Sequence, residues 1–252
     1  MARLAAQENL EYYPTQEAIR PLIRSYLKFP AKGTNCLDPC CGPGDAFAEI
    51  CPEQKLFGIE YHPVRADEAK SRLYKVLSSP LENCTISNRA FGFVHCNPPY
   101  DWAYGGKVRY EELFLARSTQ YLSLNGVLEL LVPTTLFKYR GPAVLKHLYE
   151  NYTDLLFLRY PSPEFDKFKQ LVIFGVRKPR EKIIVDQDFL AAKAKKIYTG
   201  KLSVLEHQSK PLYKVPQLNP GEVKIFRSSY YSEEIAALES QTVSLLANEQ
   251  EE

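Results

Sequence analysis

Short apolar runs at 34–37, 56–60, 74–77, 91–96 and 127–132 alternate with helical patterns at 15–28, 63–73, 109–122 and 141–151. Strands that are apolar at nearly every position need cover on both faces, and the intervening helices can supply it. The alternation predicts an α/β fold: a mixed, mainly parallel sheet with helices on both faces. Two more runs, at 155–158 and 171–176, flank a polar stretch and read as an antiparallel C-terminal hairpin closing that sheet. In the first helical pattern Ile19, Leu22, Ile23, Tyr26 and Leu27 share one stripe. Thr15 is placed to cap this helix, and Pro21 falls where it would kink the helix or shift its start.

The rhythm stops near residue 180. Between 182 and 230 nine basic residues stand against four acidic ones, and from 231 onward there are six acids and no cation. The expectation is a domain over 1–180 and a basic extension over 181–252 whose acidic end has the composition of a frayed tail. The chain as a whole is nearly neutral, with a formal net charge of +2 over 252 residues, so any basic surface must be local. With 45% hydrophobic residues it is not a disordered chain. No apolar run approaches the roughly 18–20 residues of a membrane span, and the first residues turn polar too early for a secretory signal. A soluble, cytoplasmic protein with no membrane partner is expected. Six cysteines, at 36, 40, 41, 51, 84 and 96, lack metal-site spacing and read as reduced, partly buried thiols, so no metal is expected.

The first strand runs into Asp38-Pro39-Cys40-Cys41-Gly42-Pro43-Gly44, where sheets of this kind bind ligands. Gly42 and Gly44 allow a tight turn and a close backbone approach. Glu60 ends the next strand, where a carboxylate can accept hydrogen bonds from the vicinal hydroxyls of a ribose. The glycine spacing is shorter than the usual dinucleotide fingerprint, so the loop alone does not specify its ligand.

Asn97-Pro98-Pro99-Tyr100, after the strand 91–96, is more specific. An amine conjugated to an aromatic ring or a carbonyl is a poor nucleophile because its lone pair is delocalised. Acceptors for both N–H groups draw the nitrogen toward a tetrahedral shape. The Asn97 side-chain carbonyl offers one acceptor and the Pro98 backbone carbonyl a second, held rigid by the paired prolines. Tyr100 offers a flat face for a base or an amide.

With these residues in hand, a resemblance is plain. Residues 37–44 resemble the cofactor loop of class I S-adenosylmethionine-dependent methyltransferases, which have a Rossmann-like α/β fold. The tetrapeptide resembles their amino-methyltransferase signature. Tyr12-Tyr13-Pro14-Thr15 resembles the segment that caps the cofactor's carboxylate in adenine-type DNA methyltransferases. The order of motifs over roughly residues 10–180 is similar to gamma-type adenine-N6 enzymes, in particular a small, poorly described bacterial family. The resemblance implies that Tyr13, Pro14, Thr15, Asp38, Pro39, Cys40, Gly42 and Gly44 surround the methionine end of S-adenosylmethionine. It puts Glu60 on the ribose and Tyr61 beside the adenine. Where the family often has an acid after the third strand, this chain has Ser78-Ser79-Pro80, leaving Ser79 as the substitute contact. Asn97, Pro98, Pro99 and Tyr100 are the expected catalytic group. Trp102, Lys107, Arg109, Lys138 and Phe168 are the expected substrate contacts, for a flipped base and its phosphates. The implied activity is methyl transfer to adenine N6 in DNA. The same motif also serves RNA bases and protein glutamine. The large target-recognition domain of typical relatives is missing, which leaves room for a partner protein that supplies recognition, or for a catalytically silent cofactor-binding subunit of a complex.

Overall fold

The computed structural model describes residues 14–103, 106, 108–182 and 186–229. In chain order the elements are α1 (Arg20–Ser25), β1 (Leu27–Lys28), β2 (Asn35–Asp38), α2 (Asp45–Ile50), β3 (Lys55–Glu60), α3 (Pro63–Lys70), β4 (Lys75–Ser78), β5 (Cys84–Ile86) and β6 (Phe91–Cys96). They continue with α4 (Tyr110–Tyr121), β7 (Leu122–Pro133), α5 (Thr135–Tyr139), α6 (Gly141–Asn151), β8 (Tyr152–Arg159), α7 (Glu164–Phe168) and β9 (Gln170–Arg177). Last come α8 (Gln187–Tyr198), β10 (Ser203–Val204), β11 (Tyr213–Lys214) and β12 (Phe226–Ser228).

Eight strands form the central sheet in the order β10-β8-β9-β7-β6-β2-β3-β4, and β9 alone runs against the rest. β2 and β6 are buried at every position, the polar Asn35, Asp38 and His95 included, because both faces of these central strands are covered. One core cluster, around Leu37, Phe91, Val94, Leu128 and Leu130, fills one side of the sheet with side chains from α4 and α6. The other, around Cys36, Phe93, Val127 and Leu131, lies under Ile23 of α1 and Phe47 of α2. Each fully buried side chain of this size contributes about 1.5–3 kcal/mol relative to an exposed one.

Two expectations need correction. The helix expected over 15–28 is confined to Arg20–Ser25, because Pro21 sits in its first turn, where its missing N–H costs nothing. Thr15 therefore caps no helix; it is buried, and its Oγ1 accepts a hydrogen bond from Asn97 Nδ2 at 3.3 Å. The break at 180 is not a packing boundary among the described residues. α8 packs on α5 and α6, β10 extends the main sheet beside β8, β11 pairs with β1, and β12 pairs with β5. Residues 186–229 thus return across the same fold. Among the described residues, no helix is long and apolar enough to cross a membrane.

Candidate active site

β2 has β3 on one side and β6 on the other, so the strand order reverses there and a crevice opens beyond the strands' carboxyl ends. Asp38, Glu60 and Asn97 stand at or just past those ends. Asp38 Oδ1 accepts from the Cys40 N–H at 2.9 Å, and the Cys41 N–H donates to Ile59 O at 2.8 Å. Gly42 and Gly44 take φ of 54° and 82°, the left-handed region where a side chain is strained. At Gly44 a Cβ would also meet the Leu73 side chain at 3.1 Å.

Glu60 is 6% exposed and does more than the sequence suggested. Its Oε2 accepts from the Gly42 N–H at 2.9 Å, while Oε1 accepts from the His62 N–H at 2.7 Å and pairs with Arg65 at 2.8 Å. The carboxylate at the end of β3 therefore pins the glycine turn after β2. Ser79 is buried; its hydroxyl donates to Pro80 O at 3.1 Å and accepts from Ser228 Oγ of β12 at 2.9 Å. Pro14 and Tyr61 are exposed and Pro39 is buried. Tyr13 and Lys107 lie outside the described residues. All six cysteines are free thiols, and all but Cys40 are buried; burial pushes Cys40 and Cys41 well above the ordinary thiol range.

The tetrapeptide is held by a chain of hydrogen bonds. Gln170 Nε2, at the start of β9, donates to Tyr100 Oη at 2.7 Å, and Tyr100 Oη donates to Asn97 Oδ1 at 2.6 Å. With Asn97 Nδ2 directed to Thr15, both ends of the amide have defined partners and its orientation is fixed. Burial keeps the Tyr100 phenol far above its ordinary range, so it remains a donor. The tetrapeptide alone points to the ring of Tyr100; the hydroxyl bridge from Gln170 to Asn97 arises only in the folded chain.

Beneath this edge lies a row of ionisable groups. His95 Nδ1 pairs closely with Glu129 Oε2, directly opposite it on β7, and His95 Nε2 lies 3.9 Å from Asp38 Oδ2. All three residues are at most 3% exposed. Burial alone would favour a neutral imidazole, but Glu129 and then Asp38 outweigh it and hold His95 up at about 9. Burial is also the main influence on Asp38, whose carboxyl is pushed up to about 6 against the pull of His95. Arg20, buried on the same side, bonds Thr15 O at 2.9 Å and pairs with Asp45 at 2.6 Å and Glu49 at 2.7 Å. A signal for this row was present in the sequence: His95 and Glu129 each interrupt an otherwise apolar strand, and fully buried charges are nearly always paired.

The expected substrate contacts divide. Arg109 is only 7% exposed, and its guanidinium holds Glu111 at 2.8 Å, because α4 begins there and turns both side chains inward. It is thus not a group presented to a phosphate, which corrects the expectation. Trp102 bridges to Arg109 as an antiparallel pair, lies 5.5 Å from its guanidinium and remains 42% exposed. Lys138 and Phe168 are exposed, on α5 and α7 at the same edge of the sheet. A separate cavity, lined by Lys32, Gln54, Lys55 and Leu218, opens at the opposite edge.

An open sheet with this strand order, a glycine turn after β2 and an acid, Glu60, ending the next strand has the class I methyltransferase fold. Residues 1–208 match the model described as "Uncharacterised methyltransferase family (DUF6094)", and the chain belongs to that family. Among solved structures, a Listeria monocytogenes protein described as a class I S-adenosylmethionine-dependent methyltransferase is similar with a TM-score of 0.52 and 15% identity, over 79% of this chain and 77% of that one. A tRNA (m1A58) methyltransferase from Aquifex aeolicus gives 0.48 and 12%, over 68% and 71%. The N-methyltransferase NodS from Bradyrhizobium japonicum gives 0.46 and 14%, over 65% and 96%. No curated protein matches the sequence.

Proposed function

We propose that this methyltransferase acts on an exocyclic amine of a nucleic-acid base, with adenine N6 in DNA as the substrate. The observation that carries this reading is the fixed Asn97 amide at the end of β6, its Oδ1 bonded to Tyr100 and its Nδ2 to Thr15. An acceptor held in this way serves a weakly nucleophilic N–H donor, and the rigid Pro98 carbonyl beside it supplies the second acceptor. S-adenosylmethionine supplies a methyl group already activated by its sulfonium charge. The residues at the strand ends fit that ligand: Asp38 and Glu60 are acceptors suited to a cation bearing hydroxyls, and the glycine turn lets backbone come close. Gly42, Gly44, Asp38 and Thr15 hold the methionine end, Glu60 the ribose, and Tyr61 and Ser79 border the adenine. Trp102 and Phe168 border the target base, and Lys138 meets its flanking phosphates.

Incubation with methyl-labelled cofactor and, in parallel, DNA, RNA and total protein tests the assignment. Label in DNA adenine is expected; label confined to RNA or protein, or none at all, would overturn it. Glu60 has its own test. Glu60→Gln keeps an acceptor but gives up the charge that pairs with Arg65 and the ribose. Cofactor affinity should fall by about 1.5–3 kcal/mol, the range of a charge-assisted hydrogen bond. Calorimetry that finds unchanged affinity in the folded variant removes Glu60 from the site.

A further inference from the structure

The extension's cations do not act as a loose tail; α8 brings some of them to the edge of the active site. Lys138 Nζ of α5 lies 5.4 Å from the Tyr139 ring and 5.7 Å from the Tyr198 ring at the end of α8. Tyr139 is 56% exposed and Tyr198 38%. The next residue but one, Gly200, lies so close against Phe165 of α7 that a Cβ there would meet the ring at 2.8 Å. Phe165 in turn has Arg159 at 5.1 Å and Lys169 at 5.0 Å. Two aromatic and cation clusters, far apart in sequence, therefore join into one strip. The strip ends beside the tetrapeptide, since Lys169 precedes Gln170, whose side chain bonds Tyr100.

The strip's charge is one-sided. Lys138, Arg159, Lys167, Lys169, Lys195 and Lys201 belong to it, against Glu164 and Asp166, and Asp166 is paired with Lys169 at 3.5 Å. On α8, Lys195 stands one turn before Tyr198 on the solvent side of the helix, while Leu190, Ala194 and Ile197 face inward. Arg109, the cation that the sequence offered for phosphates, is turned inward to Glu111. Exposed rings interleaved with cations match a nucleic-acid strand, whose phosphates take the charge and whose bases have flat faces.

We propose that this strip, α5, α7 and the C-terminal end of α8, is the track along which the substrate nucleic acid lies when its target amine reaches Asn97. Lys138 and Lys195 contact phosphates flanking the target, and Tyr198 stacks on an unpaired neighbouring base. The segment after residue 180 then performs in miniature the gripping role for which no separate domain is present in the described residues. The proposal rests on the nucleic-acid reading above and extends it to a surface.

Binding of a short fluorescent oligonucleotide containing adenines, single-stranded and as a duplex, tests it in the full chain. Lys138→Gln/Lys195→Gln should weaken both forms by about tenfold or more at low salt and make the salt dependence shallower by about one unit of log–log slope per lost phosphate contact. Lys32→Glu/Lys70→Glu, a larger charge change away from the site, should not weaken binding comparably. Tyr198→Ala should weaken the single strand by about fivefold or more, and Tyr198→Phe should restore it. Calorimetric affinity for S-adenosylmethionine should be the same in all four variants, which shows that they are folded. If the wild type binds and the strip variants bind equally well, this surface is not the track, although the substrate assignment stands. If the wild type binds neither oligonucleotide, the track and the nucleic-acid reading fall together.

Discussion

Asn97→Ala is expected to lower the rate of methyl transfer by about two to three decades while leaving cofactor affinity nearly unchanged. An amine in conjugation shares its lone pair with the ring, and the barrier includes the cost of localising it on nitrogen. Positive charge grows on that nitrogen as the new bond forms, so an acceptor on its N–H groups is worth most in the transition state. The Asn97 carbonyl can act this way because its orientation is fixed in advance, by Tyr100 Oη at 2.6 Å on one end and Thr15 Oγ1 at 3.3 Å on the other. The same geometry changes what Tyr100→Phe should do. A stacking role alone would leave that variant almost fully active. Removing the hydroxyl also removes the bridge from Gln170 to Asn97, so a loss of about 1 kcal/mol, roughly fivefold in rate, is expected. Single-turnover transfer of labelled methyl, with calorimetric cofactor affinity alongside, measures both. Asn97→Ala at wild-type rate would remove the amide from the mechanism. Tyr100→Phe at wild-type rate would return Tyr100 to a ring alone.

How much of this was legible in the sequence varies with how local the cause is. β2, β3 and β6 were readable because short, mainly apolar runs bounded by polar turns leave few other solutions, and the glycine turn because Gly42 and Gly44 suit the left-handed backbone they adopt. The Asn97 tetrapeptide was readable because its chemistry lies within four consecutive residues. Features that depend on register between distant strands were not. Gln170 meets Tyr100 only because β9 runs antiparallel beside β7, and His95 meets Glu129 only because β6 and β7 pair in that register. Arg109 misled for a related reason. Next to Trp102 and a glycine pair it reads as a surface cation, but the first turn of α4 places Glu111 against it and buries both. Charge composition misled in the opposite direction. The residues after 180 look like a solvated appendage by composition, yet Leu190, Ala194, Ile197, Leu205, Tyr213 and Phe226 are buried in the main fold.

Glu129→Leu alone is expected to destabilise the fold by about 3–5 kcal/mol, whereas His95→Leu/Glu129→Leu should cost far less. The single change leaves a buried imidazole without its carboxylate; the double change removes that pair from the layer beside Phe47 and leaves Asp38, without its neighbouring cation, to keep its proton. The row also makes stability depend on pH in a defined direction. His95 is held at about 9 in the folded chain against an ordinary 6.5, so its contribution is fully present below pH 6.5 and is lost as pH rises through 9. That contribution is about 3 kcal/mol, an order of magnitude set by the size of the shift. Asp38 acts in the same sense at lower pH. Its folded value of about 6 lies above its ordinary 3.8, so stability falls as pH rises across that interval and the buried carboxyl must ionise. The two groups are neighbours, and their effects are shared rather than summed. Denaturant unfolding of the wild type and the double variant at a series of pH values isolates the row from the other carboxylates. The difference in stability between the two should move against the wild type by about 3 kcal/mol between pH 6.5 and 9. Titration of the His95 ring by nuclear magnetic resonance provides the independent check. A midpoint near the ordinary histidine value, or a stability difference that stays flat with pH, would show that the imidazole is not charged. Asp38 would then stand at the end of β2 without the cation that offsets its burial.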